Sequence, residues 1–328
     1  MKEANIRQDY VHNRTVIVAP QRSKRKKHGG SPFAIPVTSR MRCPFEPERI
    51  DKVRALHVVG GQKKWSIKVI KNKYPIVSLD NPRAYGQQEV VIETPQHDIE
   101  LAELDVEHIS KLLGAYAERI KQLSKNKKFQ YILVFKNNGG RAGATIDHAH
   151  TQIFASDMVP PHVLLKLTRA QEFRIRYGRS YYDDLIERER KGPRLIMEDE
   201  HFIALAPYAS IYNYEAWILA KRNIDNITEL NGHERTSLAG QLKKLLYRLD
   251  EIELPYNFYM HQVINFTDER FYLRIAPRRD IWAGIELGSR LYVNTVAPEE
   301  AAKFYRDHKK PKRPKRSKSK TAGKKSKK

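Results

Sequence analysis

Apolar and polar positions alternate along three stretches of the first half: NRTVIVA at 13–19, KWSIKVI at 64–70 and QEVVIET at 88–94. That period of two predicts β-strands with at least one face buried. Over 105–124 the spacing lengthens. Ile109, Leu112, Leu113, Tyr116 and Ile120, led in by Leu104, recur at helical steps and predict an amphipathic helix. QYILVFK at 130–136 reads as another strand, KNNGGRAGAT as a glycine-rich turn, and DHAHTQIF at 147–154 as the strand that follows it.

The same order recurs downstream. HFIALAP and YEAWILAK predict strands, ERTSLAGQLKKLLYRLDEI a helix and YNFYMHQ a strand, and RFYLRIAP falls where the histidine stretch fell. Setting Ile275 against Ile153 puts Tyr272 opposite His150 and Arg274 opposite Gln152. The pattern implies a duplicated unit in which only the first copy kept its histidines. Consecutive strands with one helix per half imply an α+β fold, mainly antiparallel sheet with helices packed on it. The stretch at 156–198, with Pro160–Pro161 and ERERKGPR, reads as a connection. The expected division is a catalytic half at 1–165, a second half at 166–308 and a basic tail at 309–328.

In a strand, His148, His150 and Gln152 share one face, and Ala149, Thr151 and Ile153 share the other. Three polar side chains along one face are costly in a core unless each is hydrogen-bonded. They therefore point to a lined cleft or a metal site, against histidines satisfied within the core. Gly139, Gly140 and Gly143 permit tight curvature, and successive N–H groups in such a turn can converge on an anion. An imidazole close behind adds a nucleophile toward phosphorus near pH 7, with Gln152 and the loop to hold phosphate oxygens.

Composition narrows the class. The 328 residues are 40% hydrophobic, with no apolar run of 18 and no signal-like start, so the expectation is a cytoplasmic protein without a membrane span. A single cysteine, Cys43, excludes an intrachain disulfide framework. The net charge of +23 is uneven, because the last 20 residues hold 12 Lys or Arg and no acid, leaving 23 − 12 = +11 on the rest. The tail is expected to be disordered. Nonspecific contact with RNA or another polyanion and a solubilising role both suit it.

FKNNGGRAGATIDHAHTQIFA resembles the active-site segment of the galactose-1-phosphate uridylyltransferase family of the histidine-triad superfamily. RQDYVHNRTVIVAPQRSKR, CPFEPE, IKNKYPIVS, VVIETPQHDIELAEL and AGIELGSRLYVNTVAPEEAA resemble further family segments in the expected order, so the likeness runs over roughly residues 7–305. The resemblance implies duplicated histidine-triad-like units with His150 as the nucleophile that carries a covalent nucleotidyl group and Gln152 on its phosphate. The loop from Asn137 to Thr145, including Gly143 and Ala144, would cradle the nucleotide. Asn72 would meet the base or ribose, and Arg22 and Arg25 the phosphorylated substrate. Glu286 and Asn294 become candidates for sugar or acceptor contacts.

The family likeness also implies one structural zinc. Cys43, His97 and His148 match three of its ligands, with Glu46 standing where a second cysteine is usual. Glu189 and His261 remain of a second metal site, but Tyr272 and Arg274 replace a histidine pair, so no second metal is expected. No redox cofactor is implied, and a homodimer is the usual assembly. The reading is transfer of a nucleoside monophosphate from a nucleotide sugar to a hexose 1-phosphate. The alternative keeps the covalent histidine but uses inorganic phosphate, as in plant ADP-glucose phosphorylases, which RFYLRIAP resembles, or in dinucleoside polyphosphate phosphorylases. Ile146, two residues before His148, stands where an efficient hydrolase would carry a third histidine. A nucleic-acid-binding protein acting through its tail is the reading from a different class.

Overall fold

The computed structural model describes residues 5–8, 15–18, 39–61, 64–263 and 270–307. Strands β1 (Asn5–Gln8) and β2 (Thr15–Val18) pair as a small antiparallel ribbon. Arg22, Arg25 and the tail at 309–328 lie outside the described residues. The remaining strands form one antiparallel sheet of ten. The first half supplies β3 (Ala55–Gly61), β4 (Lys64–Lys71), β5 (Gly86–Ile92), β6 (Tyr131–Asn138) and β7 (His150–Ser156). The second supplies β8 (Leu195–Glu198), β9 (Phe202–Leu205), β10 (Ala216–Ala220), β11 (Tyr256–Val263) and β12 (Tyr272–Pro277).

The spatial order β3-β4-β5-β7-β6-β11-β12-β10-β9-β8 reads the same from either end, half for half. This is the duplication expected from the sequence, joined where β6 meets β11. At that seam Phe135 faces Tyr259, while Phe135 also faces Gln152 and Tyr259 faces Arg274. The register thus equates Gln152 with Arg274, as the alignment on Ile153 and Ile275 does.

Helices α2 (Val106–Leu123) and α5 (Gly232–Glu251) lie together on one face of the sheet. Asp105 caps the first through the His108 N–H at 2.6 Å, and Asn231 with Glu234 forms a capping box on the second. Their apolar stripes bury Leu112, Leu113, Ile120, Leu242, Leu245 and Leu249 against Val134, Ile153, Phe258 and Leu273. Each such side chain contributes roughly 1.5–3 kcal/mol by leaving water.

The stretch expected as a plain connection instead folds into α3 (Pro161–Tyr177), α4 (Tyr181–Glu189) and β8. Pro161 sits in the first turn of α3, where its missing N–H costs nothing, and Gly178, at φ 70°, closes that helix. Both helices cover the other sheet face from the seam into the second half, through Val163 and Leu167 on Tyr131 and Val263, and through Tyr182 and Ile186 on Leu219 and Tyr272. Among the described residues, no helix is long and apolar enough to cross a membrane.

Candidate active site

β7 begins at His150, and the alternation extends back through the segment before it: Ala149 C=O accepts the Glu93 N–H at 3.1 Å, and His148 turns to the same side as His150. On that side Phe45 lies edge-on to His148 and tilted against His150, with ring centroids 6.1 and 5.2 Å away. Thr151 and Ile153 face the α2 side, as period two requires.

The two histidines are held in opposite tautomers by carbonyl acceptors. His150 Nδ1 lies 2.8 Å from the His148 C=O, so Nδ1 carries the proton and donates it, leaving the Nε2 lone pair available for attack. His148 Nε2 lies 2.7 Å from the Thr94 C=O and donates there, which turns its Nδ1 lone pair toward Cys43 and Glu46. Burial, reinforced by the Lys136 ammonium, pushes His150 down to about 4. The imidazole is therefore neutral at pH 7.

Gln152 is oriented by a relay of amides. The Ile76 N–H donates to Gln88 Oε1 at 3.3 Å, which turns Gln88 Nε2 onto Gln152 Oε1 at 3.0 Å. The Tyr74 N–H donates to Asn72 Oδ1 at 2.8 Å, which turns Asn72 Nδ2 onto the same oxygen at 3.4 Å. With its oxygen doubly engaged, Gln152 presents its NH2 as the donor on the His150 face. Asn72 thus buttresses Gln152. Gln88 was not singled out from the sequence.

The glycine loop is a tight turn. Gly139 and Gly143 take φ of 82° and 86°, which side chains with a Cβ rarely adopt. A Cβ on Gly139 would also press within 3.0 Å of the Pro255 ring. The N–H groups of Ala142, Gly143 and Ala144 are spent on carbonyls of Gly139 and Gly140, so these three do not form the anion nest that the glycine spacing suggests. The second half clamps the loop: Asn257 Nδ2 lies 2.8 Å from both Asn137 Oδ1 and the Ala142 C=O, and Arg141 donates to the Arg279 C=O at 2.6 Å. Asn257 is a second residue the sequence did not reveal. Its loop partners are 120 and 115 positions away.

Under β7, on the α2 side, lies a buried polar network. Tyr116 OH donates to Thr151 Oγ1 at 2.8 Å, and the Thr151 hydroxyl donates to Glu93. Lys136 Nζ lies 2.9 Å from Glu93 and 3.1 Å from Glu100. Burial pushes the Glu93 carboxyl up, and the Lys136 charge opposes that push.

Cys43, Glu46, His97 and His148 come together as one buried group, with one ligand atom from each lying within 4.8 Å of the others. Cys43 follows a short 3-10 turn at Arg40–Arg42, and Glu46 immediately precedes the short helix α1 (Pro47–Ile50), its side chain making no capping bond there. Glu46 Oε1 is 2.6 Å from His97 Nδ1 and 3.6 Å from His148 Nδ1, and Cys43 Sγ is 3.7 Å from His148 Nδ1. Burial pushes the Cys43 thiol up to about 11. A buried thiol and a buried carboxylate facing two imidazole nitrogens are costly alone and complementary to a divalent cation. The donor set fits a metal ion.

Other candidates fall elsewhere. Asn137 and Thr145 flank the glycine turn. Glu286 caps the short helix α6 (Gly284–Ser289): its oxygens accept the Ala283 N–H at 2.9 Å and the Val293 N–H at 3.3 Å. Asn294 donates to the Ser210 and Tyr212 carbonyls. Glu189 is paired with Arg194 at 2.7 Å, and His261 Nδ1 lies 2.5 Å from Tyr131 OH, so these two belong to separate clusters.

Residues 60–160 match the family model described as galactose-1-phosphate uridyl transferase, N-terminal domain, and residues 166–274 match its C-terminal domain. The chain is similar to ADP-glucose phosphorylase of Arabidopsis thaliana, at 31% identity over 92% of each chain. It is also similar to galactose-1-phosphate uridylyltransferase of Thermotoga maritima, at 27% identity over 80% of this chain and 91% of the relative. A crystal structure of the Arabidopsis enzyme with bound ADP-glucose aligns with a TM-score of 0.76 over 94% of this chain and all of that one. A uridylyltransferase structure aligns with a TM-score of 0.78 at 27% identity, over 92% and 97%.

Proposed function

The chain belongs to the galactose-1-phosphate uridylyltransferase family of the histidine-triad superfamily, closely related to ADP-glucose phosphorylase, and we propose that it uses His150 to cleave a nucleotide sugar with inorganic phosphate. His150 Nε2 attacks the phosphorus nearest the nucleoside and the pyrophosphate P–O bond breaks. A sugar 1-phosphate leaves, and the nucleoside monophosphate stays on His150. A phosphate oxygen then attacks that phosphorus, the N–P bond breaks, and a nucleoside diphosphate leaves. Splitting the transfer in this way suits imidazole, which is both a good nucleophile and a good leaving group.

The observation that carries this reading is the pairing of a neutral imidazole, protonated at Nδ1, with an amide whose NH2 is forced outward on the same face. Two residues along a strand are roughly 7 Å apart, the distance at which one group attacks phosphorus while the other holds its oxygens. Asn137 and Thr145 of the loop are proposed to contact the nucleotide. Cys43, Glu46, His97 and His148 would hold one structural zinc. That ion would supply charge neutralisation for the thiolate and carboxylate and would fix His148, whose carbonyl sets the His150 tautomer.

Phosphate is favoured as acceptor by the likeness to ADP-glucose phosphorylase, which spans 92% of both chains. The second reading, transfer to a hexose 1-phosphate, rests on the likeness to the Thermotoga maritima uridylyltransferase. Intact-protein mass after brief exposure to ADP-glucose or UDP-glucose without acceptor tests the covalent step and identifies the base. The expected result is a gain of one nucleoside monophosphate, absent in His150→Ala and discharged by phosphate. Discharge by galactose 1-phosphate alone would favour the second reading, and no adduct with either donor would overturn both.

A further inference from the structure

The sheet row that holds Gln152 continues through Phe135 and Tyr259 to Arg274 and Trp217. Gln152 and Arg274 are three strand spacings apart, roughly 14 Å, on the same face. Where the first half has an amide beside a histidine, the second has a guanidinium in an aromatic enclosure. The rings of Tyr212, Tyr259 and Trp217 lie 5.5, 5.6 and 5.9 Å from Arg274 Cζ. Its Nε sits 2.7 Å from Glu215 Oε1, and 19% of the side chain is exposed.

Glu215 orients the guanidinium but has little capacity left. Its Oε1 also accepts from Trp217 Nε1 at 2.8 Å, and Oε2 accepts the N–H groups of Ile211 and Tyr212. The two η nitrogens of Arg274 donate to none of the described residues. Two further cations border the same enclosure: Lys166 of α3 stands 4.9 Å over the Tyr272 ring, and Arg278 lies 5.4 and 5.8 Å from the rings of Tyr212 and Trp282. His162 and His261, 5.9 Å apart, are both driven toward the neutral form, first by burial and then by the positive charges of Lys166 and Arg274. Arg274, Lys166 and Arg278 thus gather around one set of rings, with Glu215 as the carboxylate in contact with Arg274.

We propose that this cluster on the second half is a binding site for a phosphate dianion, gripped by the η fork of Arg274 with Lys166 supplying further charge. A planar fork of donors matches two oxygens of a tetrahedral phosphate, and walls of aromatic carbon strengthen that contact by excluding water. The ligand is inorganic phosphate or a phosphate monoester whose organic part lies against the rings. The site is independent of the histidine chemistry of β7, because no residue is shared.

The test follows tryptophan emission in a Trp65→Phe background, where Trp217 and Trp282 remain of the three tryptophans, as the full chain is titrated with inorganic phosphate. A saturable change is expected, retained in His150→Ala and about tenfold or more weaker in Arg274→Met and in Lys166→Met. Far-UV circular dichroism and a cooperative melt confirm that the variants are folded, and Lys166→Met decides the matter if Arg274→Met is not. Glucose 1-phosphate in place of phosphate separates the two sources: tighter binding identifies a monoester, and equal binding identifies the bare anion. No saturable change with either compound, or an unchanged affinity in both variants, would overturn the proposal.

Discussion

β7 and β12 occupy equivalent places in the two halves, and their α2/α5 faces differ as much as their open faces. Against the helices, the first half buries Thr151 and Lys136 with Glu93, while the equivalent positions in the second half hold Leu273 and Met260. The second half shows that hydrocarbon fills this space without difficulty. The first half nonetheless keeps an ion-paired network that costs desolvation. It does so directly behind the strand that carries His150. On the open face, His150 and Gln152 stand where the second half has Tyr272 and Arg274. Ile153 and Ile275 fill the same place in the core of each half; the proposed chemistry rests on the polar departures from that common pattern.

The largest effect expected from breaking this comparison is at His150, the proposed nucleophile. His150→Ala should lower turnover by more than about 10⁴-fold, as removal of a covalent nucleophile does, with no mass adduct. Adding Tyr272→His to that variant should restore nothing. The sequence between β11 and β12 has no glycine turn, and Glu215 holds Arg274 in the place of Gln152. An adduct in the double variant would show that position on the sheet, rather than the surrounding relay, makes the nucleophile.

Next in size is the buried network. Lys136→Met copies the second half's Met260 but leaves Glu93 and Glu100 without their cation. Unfolding by denaturant should show a loss of about 3–5 kcal/mol. A loss within experimental error would mean that the carboxyls simply take up protons and that the network is not needed for stability.

The third effect is smaller and crosses between the halves. Asn257→Ala removes two hydrogen bonds from the glycine loop, each worth about 1 kcal/mol. If the loop holds the nucleotide, KM for the nucleotide sugar should rise about tenfold while the covalent step, followed in single turnover at saturating donor, changes far less. A fall in the single-turnover rate with KM unchanged would place the loop in the chemistry instead.

How much of this was readable follows from the range of each interaction. α2 and α5 announce themselves through uninterrupted helical spacing, and β7 through period two, so His148, His150 and Gln152 stood out. α3 did not: Pro160–Pro161 reads as a break, and only Val163 and Leu167 of that helix are buried. β3 is an edge strand with two register shifts against β4, which blurs its alternation. Gln88 and Asn257 act through pairings across 64 and 115 positions, which no local pattern encodes. Lys136 was legible only as a charge in an apolar strand, and its partners come from the segment that precedes α2.

The smallest effect concerns the imidazole that the second half keeps. Burial, with the charges of Lys166, His162 and Arg274, holds His261 well below the ordinary histidine value. A histidine depressed in the folded state binds its proton more readily when unfolded. Its contribution to stability is therefore fully present above about pH 6.5 and is lost as pH falls below that value toward the folded-state pKa. His261→Gln keeps a polar side chain at this position but cannot take up a proton. Its unfolding free energy should decline less steeply than the parent's below pH 6.5, with the two curves parallel above it. His148, His150 and His162 are depressed in the same direction, so the variant should retain a reduced slope rather than none. Parallel curves throughout would mean that His261 is free to take up its proton in the folded protein, and that the positive field around Arg274 is weaker than the geometry implies.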